Sequence, residues 1–451
     1  MRSRLPGAAR SDSHPAGERL STPRRVLRAA VVCYLSAASF YAVQIPAGKG
    51  PDETAHLRYV EFLAREHRLP VFPKVNPGAD YEFHQPPLYY LLCLPSYLAF
   101  GSSGEAKAQG VRLFSALLSV ALLYLTFALA RALAPERPWA AVGAAVLVGF
   151  VPMHLYLSAS VSNDVLTEIW FAAALLVMVR HLAAADCYRS GESDRPPGIS
   201  AMVGMGALIG LGLLTKSLAV VLLPVGWVTA AVAARGRERY EWGRLGREAA
   251  AITLVALAIA GWWLWRNQQL YGDLLAQKAF LSAFTDRPSP QGFMERSQVG
   301  PVGYSLIVVL WTAASVLGVF GPVSGNRFVF LPQWAYVMGA LAAAAGLVGF
   351  ARYLRMTALA RWQRQAWWVC AFVTLLMVAV FVRFNLSFFQ AQARYMFPGA
   401  LPAAAVALSL GLEGGLGKRL GRGPLVIVVA ALALLALAAL PLWVIPPFEQ
   451  P

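Results

Sequence analysis

Thirteen stretches of almost unbroken apolar sequence constrain this chain more than any other feature. They fall near 27–45, 86–100, 111–131, 138–157, 165–184, 199–214, 217–234, 249–267, 303–321, 334–351, 367–384, 395–413 and 424–446. A helix needs about 20 residues to cross the hydrocarbon layer of a bilayer. Runs such as "AAITLVALAIAGWWLW" and "PLVIVVAALALLALAALPLWVI" come near that length. The pattern predicts an all-α polytopic membrane protein over 27–446. A composition 58% hydrophobic and 14% charged excludes an ordinary soluble domain.

The net charge of +16 does not point to nucleic acid, because the basic residues sit in short loops between apolar runs. Cys33, Cys93, Cys187 and Cys370 lie in or beside apolar segments without paired spacing, so neither a disulfide framework nor a metal site follows. Residues 1–26 read as a disordered basic cytoplasmic tail, and 447–451 as a short second tail. The first apolar run has no small-residue cleavage signature and reads as an uncleaved signal anchor.

Lys and Arg concentrate in cytoplasmic loops, which tests the number of crossings. Six arginines within the first 25 residues place the N-terminus inside, and the clearest internal basic loops are 235–248, 351–365 and 417–423. Seven runs precede residue 235, and seven crossings would put 235–248 outside. One early run therefore stays on one side, and 86–100, "PPLYYLLCLPSYLAF", is short and carries three prolines. A second such run keeps the later basic loops inside. We assign it to 303–321, with 334–351 as the alternative. Eleven crossings result, with the C-terminus outside. Two sizeable outer loops follow, 46–110 with juxtamembrane helices and 268–333.

This topology gathers charged groups on the outer face: Asp52, Glu53, Glu82 and Asp164, with Arg112, Lys216, Arg266 and Arg394. Charges beside apolar helices are costly and often face a cavity or ligand path. Taken singly, most have an ordinary explanation. Asp52 and Asp164 are good N-cap residues. Arg112, Arg266 and Arg394 could snorkel to headgroups, and Trp262, Trp263 and Trp265 read as an interfacial belt. Lys216 sits in a turn of a few residues between two apolar runs and calls for a specific partner. If 52–66 is helical, Asp52, His56 and Tyr59 share one face. Prolines following "HQ" predict an extended His84, which would set Glu82 and His84 at the rim of a cavity.

Carboxylates beside a basic cluster suit a polyprenyl-phosphate sugar, its tail among the helices and its phosphate on Lys and Arg. Transfer to a hydroxyl needs a carboxylate base, and positive charge where the leaving phosphate gains negative charge. A divalent cation would help, but no ligand set is visible, so the metal question stays open.

At these residues the chain resembles the GT-C-fold membrane glycosyltransferases, in particular the protein O-mannosyltransferases and the lipid A aminoarabinose transferase. "PDETAH" resembles the family's acidic signature in the first outer loop, and "HQPPLYY" its juxtamembrane motif. Arg112 resembles the Arg heading the next span, "SNDVL" the second acidic site, "GLGLLTKS" the Gly-rich helix ending in Lys, and "ARYMFPGALP" the late Arg-Tyr-Pro segment. The resemblance covers most of the chain in layout, and the ordered series of motifs is more specific than any one. It implies a GT-C-like bundle with Asp52 as general base and Glu53 and Glu82 as alternates or supports. It further implies Asp164 shaping the acceptor or metal region, and Arg112, Lys216 and Arg394 holding the donor phosphate. Arg266 belongs to the same basic set, and His56, His84 and Tyr395 are supporting residues. The late outer loops are short, a departure that favours a glycan, lipid or small cell-envelope acceptor over a protein.

The expected protein is a hexosyltransferase, mannosyltransferase-like, of the inner (plasma) membrane with its site on the extracytoplasmic side. A lipid-linked-sugar translocase and an O-antigen ligase or polymerase are the alternatives. A cysteine introduced at Ser102 is expected to label with an impermeant reagent added from outside; protection would refute the one-sided placement of 86–100.

Overall fold

The computed structural model describes residues 16–73, 75, 77–283, 289–323, 327–417 and 419–449, and is helical almost throughout. The first 15 residues of the expected tail lie outside this set. Helix α1 (Ala16–Gln44) begins well before the apolar run at 27. Two helices then precede the next long one: α2 (Glu53–Glu66) and α3 (Leu88–Ala99). They are followed by α4 (Gly104–Leu133), α5 (Pro138–Phe150), α6 (Pro152–Ser158) and α7 (Asp164–Ser190). Next come α8 (Ser200–Leu213), a short 3-10 turn (Ser217–Val221), α9 (Leu222–Ala233) and α10 (Trp242–Tyr271). Three helices, α11 (Gln277–Ala283), α12 (Pro290–Ser297) and α13 (Pro301–Leu317), lead into an antiparallel hairpin of β1 (Val319–Val323) and β2 (Arg327–Phe330). The chain closes with α14 (Gln333–Met356), α15 (Arg361–Asn385), α16 (Phe397–Leu410), α17 (Gly423–Ala439) and α18 (Ile445–Glu449).

Loop contacts sort the helix ends into two groups. At the basic end, Gln363 donates to Leu133 O (2.9 Å), Tyr353 to Glu136 (3.1 Å), Arg137 to Glu413 O (3.2 Å) and Arg189 to Arg235 O (3.0 Å). At the opposite end, the Leu88 amide donates to Leu214 O (2.8 Å), and the Lys49 ammonium lies 5.7 Å from the Phe448 ring centre. Against the eleven crossings expected, eight helices among the described residues are individually long and apolar enough to cross a membrane, and ten spans result if the bent pairs α5–α6 (67°) and α12–α13 (99°) each count as one; α3, α8 and the stretch Ser217–Ala233 are shorter apolar helices. The run at 86–100 yields only the 12 residues of α3. Helix α13 is bent 99° from α12, and both its ends are tied to the same side: Tyr304 donates to Asn385 O (2.7 Å), and Ser315 accepts from the Ala393 amide (2.7 Å). The β-hairpin was not visible in the sequence pattern.

Helix α8 is short for a span. Fourteen residues rise only about 21 Å, short of the roughly 30 Å hydrocarbon core. The turn at 214–216 that follows it carries Lys216, whose side chain is 17% exposed.

Close backbone approach holds the other side of the bundle. Where α14 crosses α16, a Cβ on Gly411 would fall 1.9 Å from Gly346 O, and one on Gly349 would fall 2.2 Å from Gly411 O. Only backbone lies there, so nothing can swing aside, the logic of small-residue packing between membrane helices. Beyond it the α16 backbone unwinds at Glu413 and Gly414, and Glu413 accepts from the Ala140 amide in the first turn of α5 (2.8 Å). Gly411→Ala is expected to cost about 1 to 3 kcal/mol through overpacking, read as a lowered thermal midpoint in detergent. Gly261→Ala, inside α10 with open space at its Cβ, should hold or raise that midpoint.

Candidate active site

The site is assembled where α1 ends and α2 begins. Asp52 is the N-cap residue of α2, yet its side chain caps nothing. Its backbone is left-handed, φ 56° and ψ 11°, a conformation costing a non-glycine residue about 1 to 2 kcal/mol. The carboxylate instead accepts from the Tyr81 hydroxyl (2.9 Å) and Arg394 Nη2 (2.5 Å), and remains 31% exposed. Asp164, the first residue of α7, also makes no cap; it pairs with Lys216 and lies 3.6 Å from Arg394 Nη1. Capping therefore explains neither aspartate. Its position at a helix N-terminus adds the favourable field of the helix dipole to Asp164. Arg394 is fixed by Gln392, which accepts from its Nε (2.7 Å), and it also donates to the Tyr395 hydroxyl (3.1 Å). Asp52, Arg394, Asp164 and Lys216 thus form a chain of alternating charge, with Lys216 and Asp52 partly open to solvent.

Glu53 and Arg112 have a different task, which corrects their expected roles. Glu53 is 1% exposed and takes Arg112 in a fork, Nε to Oε1 at 2.7 Å and Nη2 to Oε2 at 2.6 Å. It also accepts from the amides of Val161 (3.1 Å) and Gly50 (3.2 Å). Arg112 spends its remaining donors on the carbonyls of Ala42, Ile45 and Pro46 at the end of α1. All five guanidinium N–H groups are engaged. Neither residue can offer a base or hold a phosphate; together they clamp α1, α2, α4 and the strand of chain before α7.

Arg266 is not brought to the cluster. It donates to Pro70 O (2.6 Å) and stacks on Trp263, which is buried, while Trp262 and Trp265 remain exposed as a belt. His84 is not extended either. Residues 81–84 form a turn, the His84 Nδ1 and Tyr81 O are 2.8 Å apart, and the ring rests against Phe280 and Phe72. Its contribution is to hold the Tyr81 backbone. His56 does share the α2 face with Asp52; its Nδ1 meets the Tyr90 hydroxyl at 2.8 Å, while Tyr59 stacks on Tyr90. Among the described residues no three His, Cys, Asp or Glu side chains converge as a metal-ligand set. Tyr81 and Gln392 were missed in the sequence, although each lies within two residues of a selected charge, in "DYEF" and "QAQAR".

Protonation follows from placement. Burial pushes the Asp52 carboxyl up, but the Arg394 guanidinium, the field of His56 and the hydrogen bonds from Arg394 and Tyr81 together hold it well below the usual carboxylate range. Glu82 has no such partner: burial, then the charge of Asp52, raises it to about 8, and its Oε2 is buried without a hydrogen bond. Burial lowers His56 to about 4 and His84 to about 3, so both rings are neutral near pH 7. Glu82 is thus a protonated acid at neutral pH beside an ionised Asp52, an arrangement that separates donor from acceptor.

Once this geometry is seen, comparisons with known proteins place it. The chain overlays the oligosaccharyltransferase of the archaeon Archaeoglobus fulgidus in its apo form, with TM-score 0.53 and 18% identity over 92% of this chain and 55% of that one. The structure of that enzyme, AglB, with an inhibitory peptide and a dolichol-phosphate overlays with TM-score 0.52 and 16% identity over 94% and 56%. The chain spans about half the length of these proteins. ArnT from Cupriavidus metallidurans, bound to undecaprenyl phosphate, aligns at TM-score 0.39 and 17% identity, over 90% of this chain and 79% of that one. The fold is GT-C, that of membrane glycosyltransferases. Within that class, residues 95–272 match the family described as dolichyl-phosphate-mannose-protein mannosyltransferase. No curated protein sequence matches the chain.

Glu82 links folding to pH. A carboxyl raised on folding favours the folded state fully below its unfolded value, near 4.3, and that contribution is lost as pH rises through about 8. The thermal midpoint of the wild type should therefore fall between pH 5 and 8 relative to Glu82→Gln, which mimics the protonated acid. Parallel curves would show that Glu82 titrates normally.

Proposed function

We propose that the chain transfers a sugar from a polyprenyl-phosphate donor to an acceptor hydroxyl of the cell envelope, on the extracytoplasmic side of the inner membrane. The observation that carries this reading is Asp52, a carboxylate held in a costly backbone conformation, capping nothing, beside two cations. The gathering of basic loops at the opposite end supports the sidedness, and the dolichol-phosphate in the overlaid AglB structure supports the donor class.

In the proposed reaction Asp52 accepts the proton of the acceptor hydroxyl as its oxygen attacks the anomeric carbon. The bond from that carbon to the phosphate oxygen breaks, and inversion follows from attack opposite the leaving group. Lys216 and Arg394 receive the growing negative charge, and Asp164 keeps them in position. Paired with Arg394, Asp52 is a weak base. A donor phosphate competing for Arg394 would free it, so basicity would rise only with donor in place. Protonated Glu82 offers a hydrogen-bond donor at the rim. Glu53 and Arg112 position Asp52 without touching substrate.

Purified protein given synthetic polyprenyl-phosphate mannose and envelope acceptors tests this. Asp52→Asn should lower turnover by about 10²- to 10⁴-fold while donor binding persists. Undiminished turnover in that variant would overturn the base assignment. Movement of labelled donor across liposomes without consumption would instead identify a translocase.

A further inference from the structure

The basic end carries a cavity that the proposed reaction does not use. It measures about 400 Å³ and lies between α1, α4, α7 and α15. Arg24, Arg131 and Arg180 line it together with Phe127, Val179 and Trp362, and no carboxylate does. Arg24 and Arg180 are exposed and Arg131 half-buried, so the three form a cationic mouth over an apolar hollow, with no carboxylate in the lining to neutralise it. Glu136, whose charge reaches Arg131, lies outside the lining and accepts from Tyr353. Among the described residues Arg24 and Arg180 make neither a hydrogen bond nor an ion pair. Arg131 has a single partner, the Pro135 carbonyl.

The ordinary explanation is topological, since arginines at span ends anchor helices to headgroups. That account asks only that each side chain reach outward. It does not ask three of them, from three different helices, to face one hollow whose remaining walls are apolar or aromatic. Guanidinium forks match phosphate oxygens in geometry as well as charge, and the apolar walls provide for hydrocarbon immediately below. An anion with an attached tail satisfies both halves of the cavity, whereas a free anion satisfies one.

We infer that this cavity is a binding site for one anionic phospholipid of the leaflet at the basic end. Its phosphodiester sits among Arg24, Arg131 and Arg180, with the first acyl segment along Phe127 and Val179. Clusters of basic residues at this level of a membrane protein attract anionic lipids; here the three side chains would specify one molecule. The site is distinct from the Asp52 cluster, which lies at the other end of the bundle.

Native mass spectrometry of the full-length detergent-solubilised protein, titrated with phosphatidylglycerol, phosphatidylcholine or inorganic phosphate, tests the assignment. The wild type should retain one phosphatidylglycerol at least 10-fold more tightly than phosphatidylcholine. Combined Arg24→Gln, Arg131→Gln and Arg180→Gln substitution should remove that preference. Arg352→Gln, Arg355→Gln and Arg364→Gln, an equal loss of charge away from the cavity lining, should keep it. Arg180→Gln alone, on an exposed position, should weaken binding several-fold with an unchanged thermal midpoint, which separates lipid loss from misfolding. Equal retention of both lipids, or equal loss in both triple variants, would overturn the site. Displacement of the lipid by inorganic phosphate at matching concentration would overturn the lipid assignment in favour of a free-anion site.

Discussion

The buried fork between Glu53 and Arg112 is the interaction on which the site depends. Taking two charges out of water costs several kcal/mol per ion, and attraction offsets that only when geometry is good and the remaining donors are satisfied. Here the guanidinium finds two carboxylate oxygens and three carbonyls, and the carboxylate finds two further amides. Removing either partner would strand a charge inside the bundle. The fork joins the end of α1 to the start of α2, to α4 and to the approach to α7. Asp52, one residue away, is held in place by that joint and not by its own contacts alone.

Adjacent carboxylates therefore divide the labour. Glu53 is spent on structure, and Asp52 is left with one face toward Arg394 and another toward solvent. The same separation recurs in protonation, where the paired Asp52 stays ionised and the unpaired Glu82 does not. Two acids at the same mouth differ because Arg394 pairs directly with one, whereas burial and the neighbouring Asp52 charge act on the other.

Much of this was legible in the sequence, and for identifiable reasons. Apolar runs set the helices, and the short, proline-bearing run at 86–100 yields a helix of only 12 residues. The charges at 52, 164, 216 and 394 were grouped by topology alone, and the structure joins them as ion pairs. What stayed hidden depended on three-dimensional partners. Arg112 looked like a phosphate ligand because the carbonyls that receive it belong to a helix end 66 to 70 positions away. Arg266 shared a face with the cluster by topology, but its stacking on Trp263 turns it to Pro70. His84 was expected extended from its prolines, whereas it sits in the turn at 81–84 with its ring against Phe280 of α11, far along the chain.

The shortness of α8 has meaning for traffic. With the Ser200 end of α8 at one membrane surface, as the proposed sidedness requires, its 14 residues would leave Lys216 at a depth where hydrocarbon ordinarily begins. Molecules moving within the plane of the bilayer would meet that charge sideways, with their headgroups already near its level. A water-borne molecule would have to descend to it and leave its hydration behind. The length of one helix would thus sort arrivals by the direction from which they come, before any contact with a side chain is made.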